Sequence, residues 1–501
     1  MRRLVTLVLA AAVPLTLALP GAVAADPRTP AAPVPSVIAQ ARAALDGSAQ
    51  QADRDVSMAM RDVFLARPDL SPAGKRQADA LLGRPTDPES PDNPNSTTYD
   101  PAAPRAQVCG PHVCVTYVTS TGDQSSAAWA AQTLQVMETS WTREVDQLGY
   151  RAPASDGAAG GDARFDVYLA DVSSQGYYGF CVPEAPVAGQ AYLAQAYCIL
   201  DNDMLGFPMD PVSSLRVTAA HEFFHAIQFN IDAAEDKWWM EATATWIEEQ
   251  VAGDVNDNRQ YLPVGQLGKP RAPLDTYDGT LAMYGNWIFV QRLAQAYGVD
   301  AIRQIWARLD AAAGAPDQSS IKGISSFLAT KKTKFATFYS SFVEANQIPK
   351  KKYAEGSAYK PAPVAAKVTL TGKKRKSGTK KLAAPHLAST SLRITPGKGI
   401  KGNRKVLVSV DATRGKKANP VARVMVFKKK GSVSKVTIKL NKKGKGSKLV
   451  NFNRSKVSKI ILLLSNASTR YTGCVSANTT WACGGKPKDD KQKFIVNATV
   501  R

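Results

Sequence analysis

This chain of 501 residues has few long apolar runs and lacks the tight cysteine spacing of a structural zinc site. Beyond the N-terminus the best apolar run, Ile460 to Leu464, has the length of a strand, whereas a membrane-spanning helix needs about 20 residues. None of the six cysteines stands in a CxxC pair, the spacing typical of a structural zinc site. The composition, 44% hydrophobic and 21% charged, excludes a wholly disordered chain. We therefore expect a globular protein without a transmembrane span.

Acidic residues are almost missing from the last third of the chain. Residues 350–501 contain 38 lysines and arginines but four acids, a formal charge of +34, whereas residues 1–349 carry −12. The lysines are spread over strand-like segments with few aromatic residues between them, which is unlike a nucleic-acid-binding module. We expect no nucleic-acid partner. The basic segment is instead expected to hold the protein near an anionic cell-envelope surface, or simply to keep it soluble.

The first 24 residues have the features of a secretory signal peptide. Arg2 and Arg3 precede the apolar stretch 4–19, and Ala22-Val23-Ala24 provides a cleavage site with small residues. The mature protein is therefore expected to be secreted into an environment that favours disulfides. Six cysteines allow about 15 connectivities, and we expect nearest neighbours to pair. The expected pairs are Cys109/Cys114, Cys181/Cys198 and Cys474/Cys483.

The rest of the chain divides into four segments. Residues 25–100 predict short helices in an N-terminal extension or propeptide; Ser71 followed by Pro72 is a signal for a helix start. Residues 101–349 predict an α+β domain, in which a mixed sheet comes first and helices follow. Residues 350–384, rich in Lys, Ala and Pro, predict a basic linker. Residues 385–501 predict a basic accessory domain with an all-β, sandwich-like fold.

Two of the four histidines stand in His221-Glu222-Phe223-Phe224-His225, an HExxH motif. On a helix, residues i and i+4 lie on one face, about 6 Å apart along the axis, so both imidazoles can bind one Zn²⁺ ion. Glu222 lies beside the open coordination position, where it can take a proton from zinc-bound water. The motif therefore predicts one catalytic zinc site, with His221 and His225 as metal ligands and Glu222 as the general base.

A third metal ligand is expected on the next helix. Gln228 and Ile231 stand where the metzincin pattern requires Gly and His, so that class is excluded. Glu241, 16 positions after the second histidine, is flanked by apolar residues that would bury its carboxylate, and a metal would offset the cost of that burial. Glu248 and Glu249 are the alternatives, but they lie at the polar end of the helix and are expected to be solvated.

The block from Val217 to Glu249 resembles the gluzincin clan of zinc metalloproteases, the thermolysin-like class. It is most similar to secreted bacterial members with a HEFFHAIQ helix followed by a helix of the W-x-x-E-x-x-A-x-W type, which this chain matches only approximately. The resemblance covers about residues 107–346. Thr245 stands where thermolysin has Asp, so the hydrogen-bond partners of the ligand histidines stay open. The resemblance implies a zinc site made of His221, His225, Glu241 and the base Glu222.

Two further sites are candidates. Gluzincins commonly stabilise the oxyanion of the reaction with a downstream Tyr or His. Tyr284 is the candidate for this role and Tyr261 the next choice, whereas His386 lies beyond the predicted linker. Residues 254–258 have part of the oxygen-rich alternation of a calcium loop, but Arg259 stands where that loop requires Gly. A plain turn is favoured there, and calcium is the secondary interpretation.

The sequence thus predicts a secreted zinc endopeptidase that acts on protein or peptide substrates. A zinc aminopeptidase is the enzymatic alternative, although no motif for binding an N-terminal amine is found. The other alternative is a non-catalytic, envelope-binding protein with a retained zinc site. The presence of Glu222 argues against it, because zinc retention needs the ligands but not the base.

Overall fold

Three helices begin the part of the chain that the computed structural model describes, which comprises residues 36–49, 55–88, 98–413, 418–476 and 479–501. Asp55 and Ser71 cap the second and third helices by accepting backbone N–H groups, so the helix start predicted at Ser71 is confirmed. The predicted signal peptide lies outside the described residues. The helices are α1 (Val37–Leu45), α2 (Val56–Ala66) and α3 (Pro72–Leu82).

A mixed five-stranded sheet follows. Its strands are β1 (Arg105–Cys109), β2 (Val113–Val118), β3 (Phe165–Ala170), β4 (Gly179–Pro186) and β5 (Ala194–Asp201). They lie in the order β1-β2-β3-β5-β4; β2, β3 and β5 are parallel, and β1 and β4 run antiparallel at the two edges. Every residue of β2 and β3 is buried, as expected for central parallel strands covered on both faces.

Helices cover this sheet and continue beyond it. They are α4 (Ala127–Trp141), α5 (Pro211–Asp232), α6 (Lys237–Val251), α7 (Ala282–Gly285), α8 (Trp287–Tyr297), α9 (Asp300–Leu309), α10 (Ser320–Thr330) and α11 (Phe335–Ala345). α5 packs against β4, β5 and α6. Most of its residues are buried, so it runs through the core with little polar face. Each of the described helices is too short or too polar to cross a bilayer.

Two stacked sheets form the C-terminal part. The first has the order β11-β10-β13-β8-β6 and the second the order β12-β9-β16-β7; β14 and β15 form a separate short pair. An apolar core lies between the two sheets, as in the sandwich-like fold that the sequence predicts. The strands are β6 (Ala366–Leu370), β7 (Lys380–Ala384), β8 (Ala388–Pro396), β9 (Lys405–Ala412), β10 (Pro420–Lys428), β11 (Val433–Thr437), β12 (Lys445–Asn451), β13 (Val457–Asn466), β14 (Tyr471–Thr472), β15 (Lys486–Pro487) and β16 (Gln492–Val500).

The predicted basic linker, residues 350–384, contains two of these strands. β6 pairs with β8, and β7 pairs with β16, so the linker prediction is wrong for 366–370 and 380–384. The lysines of this segment favoured a linker in the sequence. In the structure Lys367 is exposed while Leu370 is buried, as in a half-buried strand whose polar side chains face water. The sandwich therefore begins at residue 366 rather than 385.

The first sheet of the sandwich also packs against the helical part. Ile461 and Leu463 of β13 join the core of the helices, while their neighbours in the strand face the second sheet. Burial on both faces explains the uninterrupted apolar run in this strand. Leu387, the residue before β8, is fully buried in the helical part, where its carbonyl accepts hydrogen bonds from Leu274 N and Tyr339 Oη. Residues from Val37 onward therefore pack as one compact unit.

Candidate metal centre

Helices α5 and α6 bring the two histidines and Glu241 together. α5 begins at the Asp210 cap and runs for 22 residues, which places His221 and His225 one turn apart with ring centroids separated by 4.9 Å. α6 packs against α5 and brings Glu241 to the two rings. Its Oε2 lies 3.4 Å from His221 Nε2, and its Oε1 lies 3.4 Å from His225 Nε2. One carboxylate thus faces both imidazole nitrogens.

These distances suit a shared metal ion. Two ligand atoms about 2.0–2.1 Å from a zinc ion, at the tetrahedral angle, stand about 3.3–3.4 Å from each other. The separations of 3.4 Å between the Glu241 oxygens and the two Nε2 atoms match that value. The ligand atoms of all three residues lie within 4.8 Å of one another, so this buried group could hold a metal ion.

The surroundings of Glu241 also favour a bound cation. Its side chain is fully buried, and neither carboxylate oxygen accepts a hydrogen bond within the described residues. Burial raises the pKa of Glu241 well above its ordinary value, because a buried carboxylate loses its hydration. A bound cation would offset that cost. The burial expected of Glu241 from its apolar neighbours is confirmed.

Gln228 sets the tautomer of His225. The Gln228 Nε2 donates to the Met240 carbonyl at 3.0 Å, so its Oε1 faces His225 Nδ1, 2.7 Å away. An amide oxygen can only accept, and therefore Nδ1 carries the hydrogen and the lone pair of His225 lies on Nε2, toward Glu241. Burial lowers the pKa of His225 well below its ordinary value, which also favours the neutral, metal-binding form.

Glu248 orients the ring of His221, as Gln228 orients that of His225. Its Oε1 lies 2.8 Å from His221 Nδ1, which directs the other ring nitrogen to Glu241. The prediction that Glu248 is solvated is wrong: the end of α6 packs on α5, and 6% of the residue is exposed. Burial raises the pKa of Glu248 to about 7, against the opposing effect of His221. Glu249 instead accepts a hydrogen bond from Asn258.

Glu222 lies in the same cleft as the histidines. Its side chain is buried, and its Oε2 accepts a hydrogen bond of 2.8 Å from Ser57 Oγ in α2. Burial raises the pKa of Glu222 to about 7, although His221 and the Ser57 hydrogen bond act in the opposite direction. A carboxyl group whose pKa is near neutrality is suited to accept and return a proton.

Tyrosine side chains form another wall of the cleft. The Tyr284 ring lies 6.0 Å from the His221 ring and 5.3 Å from that of Tyr261, so both predicted tyrosines lie at the site. Sequence reasoning missed Tyr277, whose hydroxyl donates to Asp55 Oδ2 at 3.2 Å. Tyr284 donates to the same oxygen at 3.4 Å. No local motif marks Tyr277, because only the folded chain brings it beside α2.

The other predicted sites take different roles. In the proposed calcium loop, both oxygens of Asp254 accept hydrogen bonds from Arg216, at 2.6 and 2.9 Å. The segment is a turn followed by a 3-10 helix that begins at Asp257. An arginine therefore neutralises this carboxylate. His386 is fully buried, with its Nε2 3.0 Å from Tyr471 Oη and 3.5 Å from Asp275 Oδ2. It belongs to the contact between the sandwich and the helical part.

Comparisons with known proteins assign no family to this chain: no protein-family model matches it, and no curated protein does so. The gluzincin resemblance therefore stays a prediction from the sequence.

Proposed function

We propose that this protein is a secreted, zinc-dependent endopeptidase. The observation that supports the proposal best is the convergence of His221, His225 and Glu241 on one point in a cleft that Glu222 also lines. Structural zinc sites usually have four protein ligands, whereas catalytic sites have three and keep a position open. Two imidazole nitrogens and one carboxylate oxygen form a donor set of the catalytic kind.

Each of these side chains has a separate role in the proposed hydrolysis of a peptide bond. A zinc ion at this site would supply Lewis acidity, which polarises the peptide carbonyl and lowers the pKa of a water molecule. Glu222 takes the proton of the attacking water and returns it to the leaving amine nitrogen. The Tyr284 hydroxyl donates a hydrogen bond to the oxyanion that develops on the peptide carbonyl. Gln228 and Glu248 hold the two imidazoles in the tautomer that presents Nε2.

An extended peptide is the substrate that fits this position in the fold. β4 is an edge strand of the first sheet, and its first residue, Gly179, lines the cleft. An edge strand leaves backbone donors and acceptors on one side, to which an extended chain can bind by adding a strand. Such binding does not need the ends of the substrate, which favours an endopeptidase over an aminopeptidase.

Secretion is part of the proposal. All six cysteines are paired, as nearest neighbours, in the way the sequence predicts. Paired cysteines are compatible with an oxidising, extracellular environment. The bonded pairs are Cys109–Cys114, Cys181–Cys198 and Cys474–Cys483.

The test combines metal analysis with an assay on N-acetylated peptides, using the full chain. We expect about one zinc per chain in the wild type, in Glu222→Gln and in the control Glu249→Gln, and loss of zinc in His221→Ala. Glu222→Gln should lower the basal hydrolysis at least about 100-fold, because an amide cannot take up the proton, while Glu249→Gln should keep it. Glu249 is a suitable control because it lies on α6 and binds Asn258 rather than a histidine.

The alternatives give different results in the same assay. Cleavage that requires a free N-terminal amine would identify an aminopeptidase. Stoichiometric zinc without hydrolysis in any variant would favour the binding protein. Hydrolysis by Glu222→Gln within a few-fold of the wild type would exclude Glu222 as the base.

We also propose that the basic sandwich binds an anionic envelope surface. Its first sheet is covered by the helical part, so the second sheet, with exposed Lys405, Lys445 and Lys493, supplies its open face. Contacts of exposed lysines are screened beyond about 8 Å at physiological salt. Retention of the full chain on anionic beads should therefore fall steeply with salt and weaken when these lysines become Gln. Retention that does not change with salt would contradict the proposal.

A further inference from the structure

We propose that the first turn of α2, with Asp55 and Ser57, is an internal plug of the candidate active site, and that this turn must move away before a peptide can bind. The inference concerns the regulation of the site and rests on the proposed function. The plug would leave the full chain with only a basal activity, since an inhibitor that is part of the chain is always present next to its site.

Ser57 engages two groups that a substrate would need. Its hydroxyl is buried, donates to Glu222 Oε2 at 2.8 Å and accepts the backbone N–H of Cys181 at 3.0 Å. Cys181 belongs to the edge strand β4, so the hydroxyl uses the outward backbone donor of this strand. One side chain of the N-terminal segment thus holds both the proposed base and a peptide-binding donor.

Asp55 binds the hydroxyls of two tyrosines, of which Tyr284 lines the cleft. Its Oδ2 accepts hydrogen bonds from Tyr277 Oη at 3.2 Å and Tyr284 Oη at 3.4 Å, while its Oδ1 caps α2 by accepting Met58 N–H. A phenol has one hydrogen to donate. Tyr284 therefore cannot donate to Asp55 and to a peptide oxyanion at the same time, and Asp55 must leave before Tyr284 can perform its proposed role.

The part that moves is the first turn rather than the whole segment. Arg61, one turn further along α2, donates to the Glu235 carbonyl at 2.8 Å. Arg84, after α3, binds the carboxylates of Asp156, Asp166 and Glu184. These buried contacts hold the segment on the body of the protein. The first N–H groups of a helix have no partner within the helix, so fraying of that turn breaks few hydrogen bonds within α2 itself.

Ser57 could instead serve catalysis by orienting Glu222, and the two roles predict opposite effects of one substitution. Removal of a plug releases the base and the strand, so Ser57→Ala should bind ligands more tightly. Removal of a positioning hydroxyl should lower hydrolysis and leave ligand affinity unchanged.

The test measures binding of a peptide hydroxamate, which chelates zinc and is not hydrolysed, to the zinc-loaded full chain by calorimetry. Ser57→Ala and Asp55→Asn should each bind the hydroxamate at least about tenfold more tightly, because the ligand no longer has to displace a hydrogen bond to a charged group. Asn keeps the helix cap, so Asp55→Asn leaves α2 formed. Ser71→Ala is the control: it removes the same hydroxyl from the cap of α3, which does not line the cleft.

Hydrogen exchange of the wild type needs no substitution and tests the same point. Saturating hydroxamate should speed exchange at the Met58 amide, which Asp55 caps, and leave α3 unchanged. The plug would be overturned if both variants bound the hydroxamate with unchanged affinity and exchange at Met58 were also unchanged. A loss of hydrolysis in Ser57→Ala without a gain in hydroxamate affinity would overturn it as well. Tighter binding in variants that do not hydrolyse peptides would support the plug and refute the endopeptidase.

Discussion

Gln228→Leu should weaken zinc binding, although Gln228 is not a metal ligand. The substitution removes the hydrogen bond of 2.7 Å to His225 Nδ1 and the bonds of Nε2 to the Met240 carbonyl at 3.0 Å and Thr243 Oγ1 at 3.1 Å. His225 then has no acceptor that selects the tautomer with its lone pair on Nε2. Loss of such a partner of a ligand histidine typically costs 10–100-fold in metal affinity, or about 1.4–2.7 kcal/mol.

The same substitution should also destabilise the metal-free protein. His225 is 1% exposed, so its Nδ1–H would be left buried without an acceptor, a cost of about 1–3 kcal/mol. Zinc affinity is measured by competition with a chelator, and stability by urea unfolding after chelation. Gln135→Leu, the same change on an exposed part of α4, is the control. Zinc affinity of Gln228→Leu within about twofold of the wild type would refute this account of the site.

Three further predictions follow from buried groups. Burial raises the pKa of Glu222 from 4.5 to about 7. Between these pH values the metal-free native state keeps a proton that the unfolded state has lost. The free energy of unfolding of the metal-free protein should therefore fall as pH rises from 4.5 to 7, by up to about 3 kcal/mol. Urea titrations at several pH values should show a smaller fall for Glu222→Gln, and an identical fall would contradict the prediction. Leu387→Ala should cost about 2–5 kcal/mol and lower the unfolding temperature of the helical part and the sandwich together; two separate transitions would show that they fold independently. Arg84→Met should cost about 3–5 kcal/mol by leaving its buried carboxylates without a partner, and recovery of stability at low pH, where they are protonated, would confirm the cause.

Local patterns predicted most of the helices and strands. The helical spacing of residues 212–229 predicts a helix, which is observed as Pro211–Asp232, and the apolar segment 165–170 predicts a strand, which is observed with those bounds. Both signals are periodicities of neighbouring residues, which the chain shows before it folds. The sequence does not predict β4 or α10: β4 is an edge strand with prolines, and α10 contains Gly323 and three serines, so neither has a strong local pattern.

The relation between the helical part and the sandwich could not be predicted in the same way. The basic composition after residue 350 favoured a tethered, separate domain, because net charge is visible in the sequence and burial is not. In the structure, Ile461 and Leu463 pack on the helices while the lysines remain at the surface. The apolar run that contains them was visible in the sequence, and burial on both faces is its physical reason.

The core of the candidate metal centre follows from the sequence alone. An HExxH motif on a helix brings its histidines to one face whatever the rest of the fold does, and the apolar neighbours of Glu241 required a partner for a buried carboxylate. The groups that surround that core are brought there by the packing of the folded chain. Ser57 lies 165 positions from Glu222, and Glu248 lies 27 positions from His221, yet each pair is joined by a hydrogen bond of 2.8 Å. Such contacts depend on how α2, α5 and α6 pack, and no spacing along the chain encodes a distance between separate elements.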